Sequence, residues 1–309
     1  MSDTPLYDGP VIDAHQHFWE PQSGRYPWLR PDEAIPFRYG DYSALKRSYL
    51  PPDYERDAAG HRIERTVYME AEWDPSDPIG ETRYVSAMAE RFGKPNAIIA
   101  QAWLDAPDAA AVLREQASFP LVRSVRHKPG GPASPDAVGA ERSLMSSEQW
   151  RRGYAVLGEL GLHFDLQTPW WNLHEAVRLA RDFPAITIVL NHTGLPSDRS
   201  EAGLQGWRKA MAELADMPNA AVKISGIGVA GETWTAEANG WIVRETVAMF
   251  GPERAMFASN FPVDGLCASL DTIYRGFKAI TAGLPRDAQA LLFHDTALRL
   301  YRPVPAGAA

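Results

Sequence analysis

Eight short apolar runs, nearly all followed by an amphipathic stretch of helical period, constrain this chain more than any other feature. The runs lie near 10–15, 65–72, 97–104, 121–127, 162–168, 186–192, 219–226 and 255–261. The helical stretches occupy 82–92, 106–118, 147–160, 173–183, 202–215, 235–250, 269–282 and 285–301. In 173–183, for instance, Leu173, Val177, Ala180 and Phe183 recur at the spacing that turns one helix face toward a sheet. Parallel strands need crossover connections, so this alternation predicts a parallel sheet. Eight such units in 309 residues fit a closed (β/α)8 TIM barrel, one α/β domain over residues 1–309, better than an open doubly wound sheet. No Gly-x-Gly-x-x-Gly follows the first strand, which argues against dinucleotide binding. Two connections break the rhythm, 19–60 after strand one and 129–140 after strand four. Loops of that length inside a compact domain are usually functional lids or insertions.

Composition narrows the classes of partner. Hydrophobic residues make up 45% of the chain, enough for a sizeable core. The formal charge is −8 with no basic cluster, so neither a nucleic acid nor an anionic membrane surface is an expected partner. A single cysteine, Cys267, leaves no intramolecular disulfide and no zinc site built mainly of thiolates. The start Met1-Ser2-Asp3-Thr4-Pro5 lacks the basic and apolar regions of a secretory signal. No apolar run reaches membrane-spanning length, so a cytoplasmic enzyme is the expectation. The tail 303–309 is expected to fray. Oligomeric state is not encoded in any of these features.

Polar side chains cluster where the strands end, which in a barrel of this kind is where chemistry sits. Strand one runs Val11-Ile12-Asp13-Ala14-His15-Gln16-His17-Phe18-Trp19. Side chains alternate along a strand, so Asp13, His15 and His17 are expected on one face, where two imidazoles can share a metal ion, a water or a substrate oxygen. Strand two ends in Glu70 and Glu72, strand three in Gln101 and Trp103, and strand four in Arg126-His127-Lys128. Strand five gives Gln167-Thr168 and then Trp170-Trp171, strand six Asn191-His192-Thr193-Gly194, strand seven Lys223-Ile224-Ser225-Gly226, and strand eight Ser259-Asn260 with Asp264 beyond. Any one of these is explained by a satisfied loop residue. Together, a Lys, an Arg, two Glu and several His on one rim are costly to bury unpaired and call for a polar active-site mouth.

In that order, Asp13-Ala14-His15-Gln16-His17-Phe18-Trp19, Val125-Arg126-His127, Asn191-His192-Thr193-Gly194, Lys223-Ile224-Ser225-Gly226 and Phe257-Ala258-Ser259-Asn260-Phe261-Pro262-Val263-Asp264 resemble the amidohydrolase superfamily. More narrowly they resemble its lactonase branch, which includes fuconolactonase, rhamnonolactonase and pyrone-dicarboxylate lactonase. The resemblance spans nearly the whole chain and implies a hydrolase that opens a lactone ring of a sugar acid or an aromatic-pathway compound. Two departures stand out. Metal-dependent members end strand five in histidine, where this chain has Gln167 or Thr168. They end strand eight in an aspartate that is ligand and base, where this chain has Asn260, and an amide does not accept a proton as a carboxylate does. The resemblance therefore implies either no cofactor or one divalent metal such as zinc, held by His15, His17, Glu70 and His192.

Lactone hydrolysis needs an activated water, donors for the oxygen that becomes negative, and groups that orient the substrate. His15, His17, His192, Asn260 and Asp264 are the candidate catalytic residues, with Asp264 as base and Glu70 or Glu72 as its rivals. Glu70, Arg126, His127, Gln167, Lys223, Trp19 and Trp170 are the candidate substrate contacts. For Glu70 the alternative is an ion pair with Arg126 or Lys223 across the mouth. Trp19, Trp73, Trp103, Trp170 and Trp171 divide between core packing and an apolar wall for a ring. Two other readings compete: a metal-dependent decarboxylase of the same superfamily, which Asn260 argues against, and a catalytically inactive small-molecule binding barrel.

Overall fold

The computed structural model describes residues 5–305. Eight parallel strands follow one another around the sheet in chain order: β1 (Val11–Gln16), β2 (Ile63–Met69), β3 (Ala97–Gln101), β4 (Val122–Arg126), β5 (His163–Leu166), β6 (Ile188–Leu190), β7 (Ala220–Ile224) and β8 (Ala255–Phe257). The ring closes by backbone bonds just past β8. Asn260 N–H donates to His15 O at 2.8 Å, and His17 N–H donates to Phe261 O at 2.8 Å. The expected (β/α)8 barrel is what forms.

Helices α1 (Pro51–Asp57), α2 (Gly80–Phe92), α3 (Ala109–Ser118), α4 (Glu148–Leu160), α5 (Leu173–Asp182), α6 (Glu201–Ala215), α7 (Ala236–Phe250) and α8 (Leu270–Thr281) lie on the connections. Several start on a hydroxyl cap that takes up an otherwise unpaired amide: Ser147 accepts from Trp150 N, Ser200 from Gly203 N, Thr235 from Ala238 N and Ser269 from Thr272 N. The last helical stretch is not one regular helix. It runs as α9 (Arg286–Ala290), a π-helical turn Leu291–Asp295, and α10 (Thr296–Tyr301).

Strands β6 and β8 are shorter than their apolar runs because the chain leaves the ladder in a left-handed conformation. His192 has φ 55°, Thr193 φ 50° and Asn260 φ 54°; Glu72, past β2, has φ 58°. Residues with a Cβ adopt such angles at a cost, which is repaid where the surrounding structure fixes them for function.

The register of β1 corrects one expectation. A shift lies between Asp13 and Gln16, so Asp13 does not share a face with the two histidines. Its carboxylate points outward and accepts from Tyr54 OH on α1 at 2.6 Å and from Ser259 N at 2.8 Å. His15 and His17 both turn inward, their ring centroids 5.1 Å apart.

Inside the barrel the lower layers are apolar, with Ile12, Val67, Ile99, Val189 and Met256 meeting Ala297, Leu300 and Tyr301 from α10. Above them sits a sealed polar layer. Lys223 Nζ lies 2.7 Å from Asp165 Oδ1, both side chains fully buried. Ser124 Oγ (2.7 Å), Asn191 Nδ2 (2.9 Å) and Tyr301 OH (3.0 and 2.9 Å) also donate to that carboxylate. Lys223 is thus part of the barrel floor.

The 19–60 connection is packed down rather than detached. Trp19 pairs with Tyr49, its indole N–H donates to Leu45 O and Arg47 O, and Tyr26, Leu29, Leu45 and Tyr54 join the main core. The chain end is also tied further than expected. Val304 N–H donates to Asn96 O at 2.9 Å and Arg65 holds Pro303 O at 2.9 Å, while 306–309 of the tail and 1–4 of the start lie outside the described residues. Among the described residues no helix is long and apolar enough to cross a membrane.

Removing one member of a buried ion pair leaves the other charge uncompensated, at a cost of about 3–5 kcal/mol. Asp165→Asn is therefore expected to lower unfolding free energy by about that amount in urea denaturation, whereas an effect under about 1 kcal/mol would mean that the floor does not depend on the pair.

Candidate active site at the C-terminal mouth

The strand ends and the 19–60 insertion enclose a cavity of about 240 Å³. His17, Arg126, Gln167, His192 and Asn260 reach it from the barrel, and Trp28, Phe37 and Arg38 reach it from the insertion, with Trp19 behind them. His15 lies beneath this wall, its ring centroid 4.6 Å from that of His192 and both its nitrogens buried with no hydrogen-bond partner.

Backbone and hydroxyl partners fix the other two imidazoles. His17 Nδ1 is 2.9 Å from Met69 O. A carbonyl only accepts, so Nδ1 carries the proton and Nε2 keeps its lone pair. His192 Nδ1 is 2.9 Å from Ser225 Oγ. Gly226, at φ 59°, makes this approach feasible: a Cβ there would stand 2.6 Å from His192 Nδ1 and 2.6 Å from Arg38 Nη2. Burial holds all three rings neutral. His17 is lowered to about 3, chiefly by desolvation and then by Arg126, and His15 and His192 fall well below the usual imidazole value for the same first reason.

Each cation on the wall is matched by a carboxylate. Arg126 pairs with the Glu70 carboxylate, donates to Glu70 O at 2.7 Å and to Gln167 Oε1 at 2.8 Å. Lys128 contacts Glu72. Arg38 donates to Gly226 O at 2.8 Å and lies 3.5 Å from Asp264. The alternative for Glu70, an ion pair with Arg126, is what the structure contains.

Asp264 does not face the cavity. Its Oδ1 accepts from Asn260 Nδ2 at 2.7 Å and Tyr39 OH at 3.0 Å, and its Oδ2 accepts from Gly226 N at 2.9 Å. Burial raises its pKa, but its oxygens are already engaged. It contacts Asn260 and Arg38 from behind the wall. His127 also turns away, its Nδ1 accepting from Leu104 N and Trp150 Nε1. Trp170 packs against Gly206 of α6, and Trp171 donates to Pro132 O at 2.7 Å. Lys223 stays in the floor, outside the cavity.

Sequence reasoning missed Arg38, Trp28 and Phe37. The signal was the length of 19–60 and its Arg and aromatic content; which residues fold over the mouth depends on packing that no local pattern carries.

Among the described residues, no three His, Cys, Asp or Glu side chains are placed to hold a metal ion together. The donor chemistry explains why. Glu70 is engaged by Arg126, and Arg38 and Arg126 add positive charge to the space a cation would fill. As placed, the residues do not fit a near-tetrahedral zinc held by His15, His17, Glu70 and His192, which was one of the two alternatives that the resemblance left open.

The sequence matches the model of the family described as amidohydrolase over residues 12–302. The chain belongs to the amidohydrolase family. A Sinorhizobium fredii protein described as uncharacterized is 39% identical over 96% of this chain and 100% of its own length. An L-fucono-1,5-lactonase of Burkholderia multivorans is 28% identical over 96% of this chain and 98% of its own length. The crystal structure of an amidohydrolase from Burkholderia multivorans with bound HEPES superimposes with a TM-score of 0.80 at 25% identity, covering 96% of this chain and all of that one. A second crystal form of that protein contains bound zinc and matches with a TM-score of 0.79 at 24% identity over the same shares.

Burial of neutral histidines in this amidohydrolase has a pH consequence. In the unfolded chain each ring binds a proton near pH 6.5, while the folded rings stay neutral to well below that. Below about pH 6.5 the unfolded state therefore binds more protons, and stability falls with acidification by about 1.4 kcal/mol per pH unit for each such ring. Glu81, pushed up to about 8 by burial and by Glu70, works in the opposite sense, as do Asp13 and Asp264, raised by burial, while His61, His127 and His163, lowered by burial, add to the loss. Denaturation midpoints are expected to fall between pH 7.5 and 5, with a shallower slope in His15→Gln. Equal midpoints across that range would contradict the neutral cluster.

Proposed function

We propose that this amidohydrolase opens the ring of an uncharged sugar-acid lactone by attack of water on the carbonyl, without a metal. The observation that carries the reading is His17, a neutral imidazole whose Nδ1–H is tied to Met69 O and whose Nε2 edge meets the cavity at the Asn260 amide, its side-chain hydrogen-bond partner. Water gives a proton to Nε2 as its oxygen bonds to the carbonyl carbon. Arg126 and Arg38, held in place by their carboxylates, face the oxygen that becomes negative. When the tetrahedral centre collapses, the ring C–O bond breaks and the alkoxide takes the proton back from Nε2. The products are one hydroxy acid and a regenerated neutral ring.

Pairing of every wall cation supports an uncharged substrate over a dicarboxylate, which would need free arginines. Aromatic walls from Trp28 and Phe37 suit the apolar face of a small ring. The L-fucono-1,5-lactonase relative, aligned over nearly the whole chain, supports the same class.

Proton release from a panel of aldonolactones and aromatic-pathway lactones, with and without chelator, tests the reading. Turnover of at least one aldonolactone is expected to survive chelation, and His17→Gln is expected to lower kcat by about 10²–10⁴-fold. Loss of activity to chelator with rescue by zinc would overturn the metal-free mechanism, and no release from any lactone would favour a binding barrel.

A further inference from the structure

Beside the histidine cavity the barrel mouth opens into a second hollow of about 330 Å³. Glu72, Arg126 and Lys128 border both spaces, which therefore adjoin across these side chains. The partition between them is the Glu72–Lys128 pair. It is held by backbone geometry: Glu72 sits at φ 58°, and its N–H donates to Glu70 Oε2 at 2.8 Å.

Four side chains of this hollow take no part in the chemistry proposed above. Gln101 is the inward position of β3 after Ala97 and Ile99. It is 9% exposed, and its Oε1 is buried with no hydrogen-bond partner. A buried acceptor without a donor is costly unless a ligand supplies one. His127 provides the converse. Its Nδ1 accepts two N–H groups, from Leu104 at 3.1 Å and Trp150 at 3.0 Å, so the proton lies on Nε2 at the opposite edge of the ring. Half-buried Trp103 adds a flat apolar wall, and Trp73, packed against Tyr26 and Tyr84, closes the hollow beside it. The bordering charges, Glu72 with Lys128 and Glu70 with Arg126, neutralise each other.

One unpaired acceptor, one donor, one accessible indole ring and no free charge describe a site for an uncharged polyhydroxylated ring. Hydroxyls donate and accept, and the C–H face of a sugar lies flat on an indole. An anionic group would find no free cation, and a plain aryl ring would leave Gln101 unpaired.

We propose that the hollow lined by Trp73, Gln101, Trp103 and His127 is a second sugar subsite, which takes the distal ring of a disaccharide-derived lactone whose lactone ring occupies the histidine cavity. The proposal rests on the lactonase reading for its orientation, but its binding signature does not need turnover.

Calorimetric titration separates the two. Gluconate is compared with cellobionate, lactobionate and maltobionate, the acids that hydrolysis of the corresponding lactones would release. At least one disaccharide acid is expected to bind tenfold or more tighter than gluconate. Gln101→Leu and Trp103→Ala are expected to remove that advantage while gluconate affinity and kcat/KM on a single-ring lactone stay within twofold of wild type. Disaccharide acids that bind no tighter than gluconate, or an advantage that persists in both variants, overturn the subsite. A disaccharide advantage with no lactone turnover would instead overturn the activity and leave the subsite standing.

Discussion

The seam where the ring closes sets the rest of the site. Two backbone bonds, Asn260 N–H to His15 O and His17 N–H to Phe261 O, join the end of β8 to the end of β1. They place the two histidines and the Asn260 amide on one stretch of wall. Outside the barrel, Asp13 secures the same seam by accepting from Ser259 N, Ser259 Oγ and Tyr54 OH, so helix α1 and both strands share one buried carboxylate. The register shift that frees Asp13 for this task also turns His15 inward.

Electrostatics then decide what the mouth can do. A sealed Asp165–Lys223 pair lies under the histidines, and paired cations line the mouth beside them. Neutral imidazoles in that setting keep a lone pair for a proton that passes between a water and a departing alkoxide. Asp264, which chain order suggested as base, serves the arrangement from behind by holding Asn260 and Arg38. Its carboxylate does not need to reach the substrate to matter.

Much of this was legible in the sequence. The alternation of apolar runs and helical stretches carries the barrel because each run is bounded by polar residues that leave the ladder. His17, Arg126, Gln167, His192 and Asn260 were legible because inward positions at strand ends follow from period two and topology. What was not legible depends on packing. The register shift at Ala14 and His15 has no local signature, so Asp13 was placed on the wrong face. Lys223 reads as a rim cation until Tyr301, from the far end of the chain, is seen to complete the floor around Asp165. Arg38 sits in a loop whose path is set by Trp19, Tyr49 and Tyr54 packing into the core, and no period points to it.

The protonation state of His17 is the claim on which the account turns. Long-range proton–nitrogen correlation spectra of the ring, recorded from pH 8 to 4.5, report both tautomer and charge. A neutral ring with its proton on Nδ1 and an unprotonated Nε2 is expected throughout that range. A ring that titrates near pH 6.5, or one that carries its proton on Nε2, would contradict it.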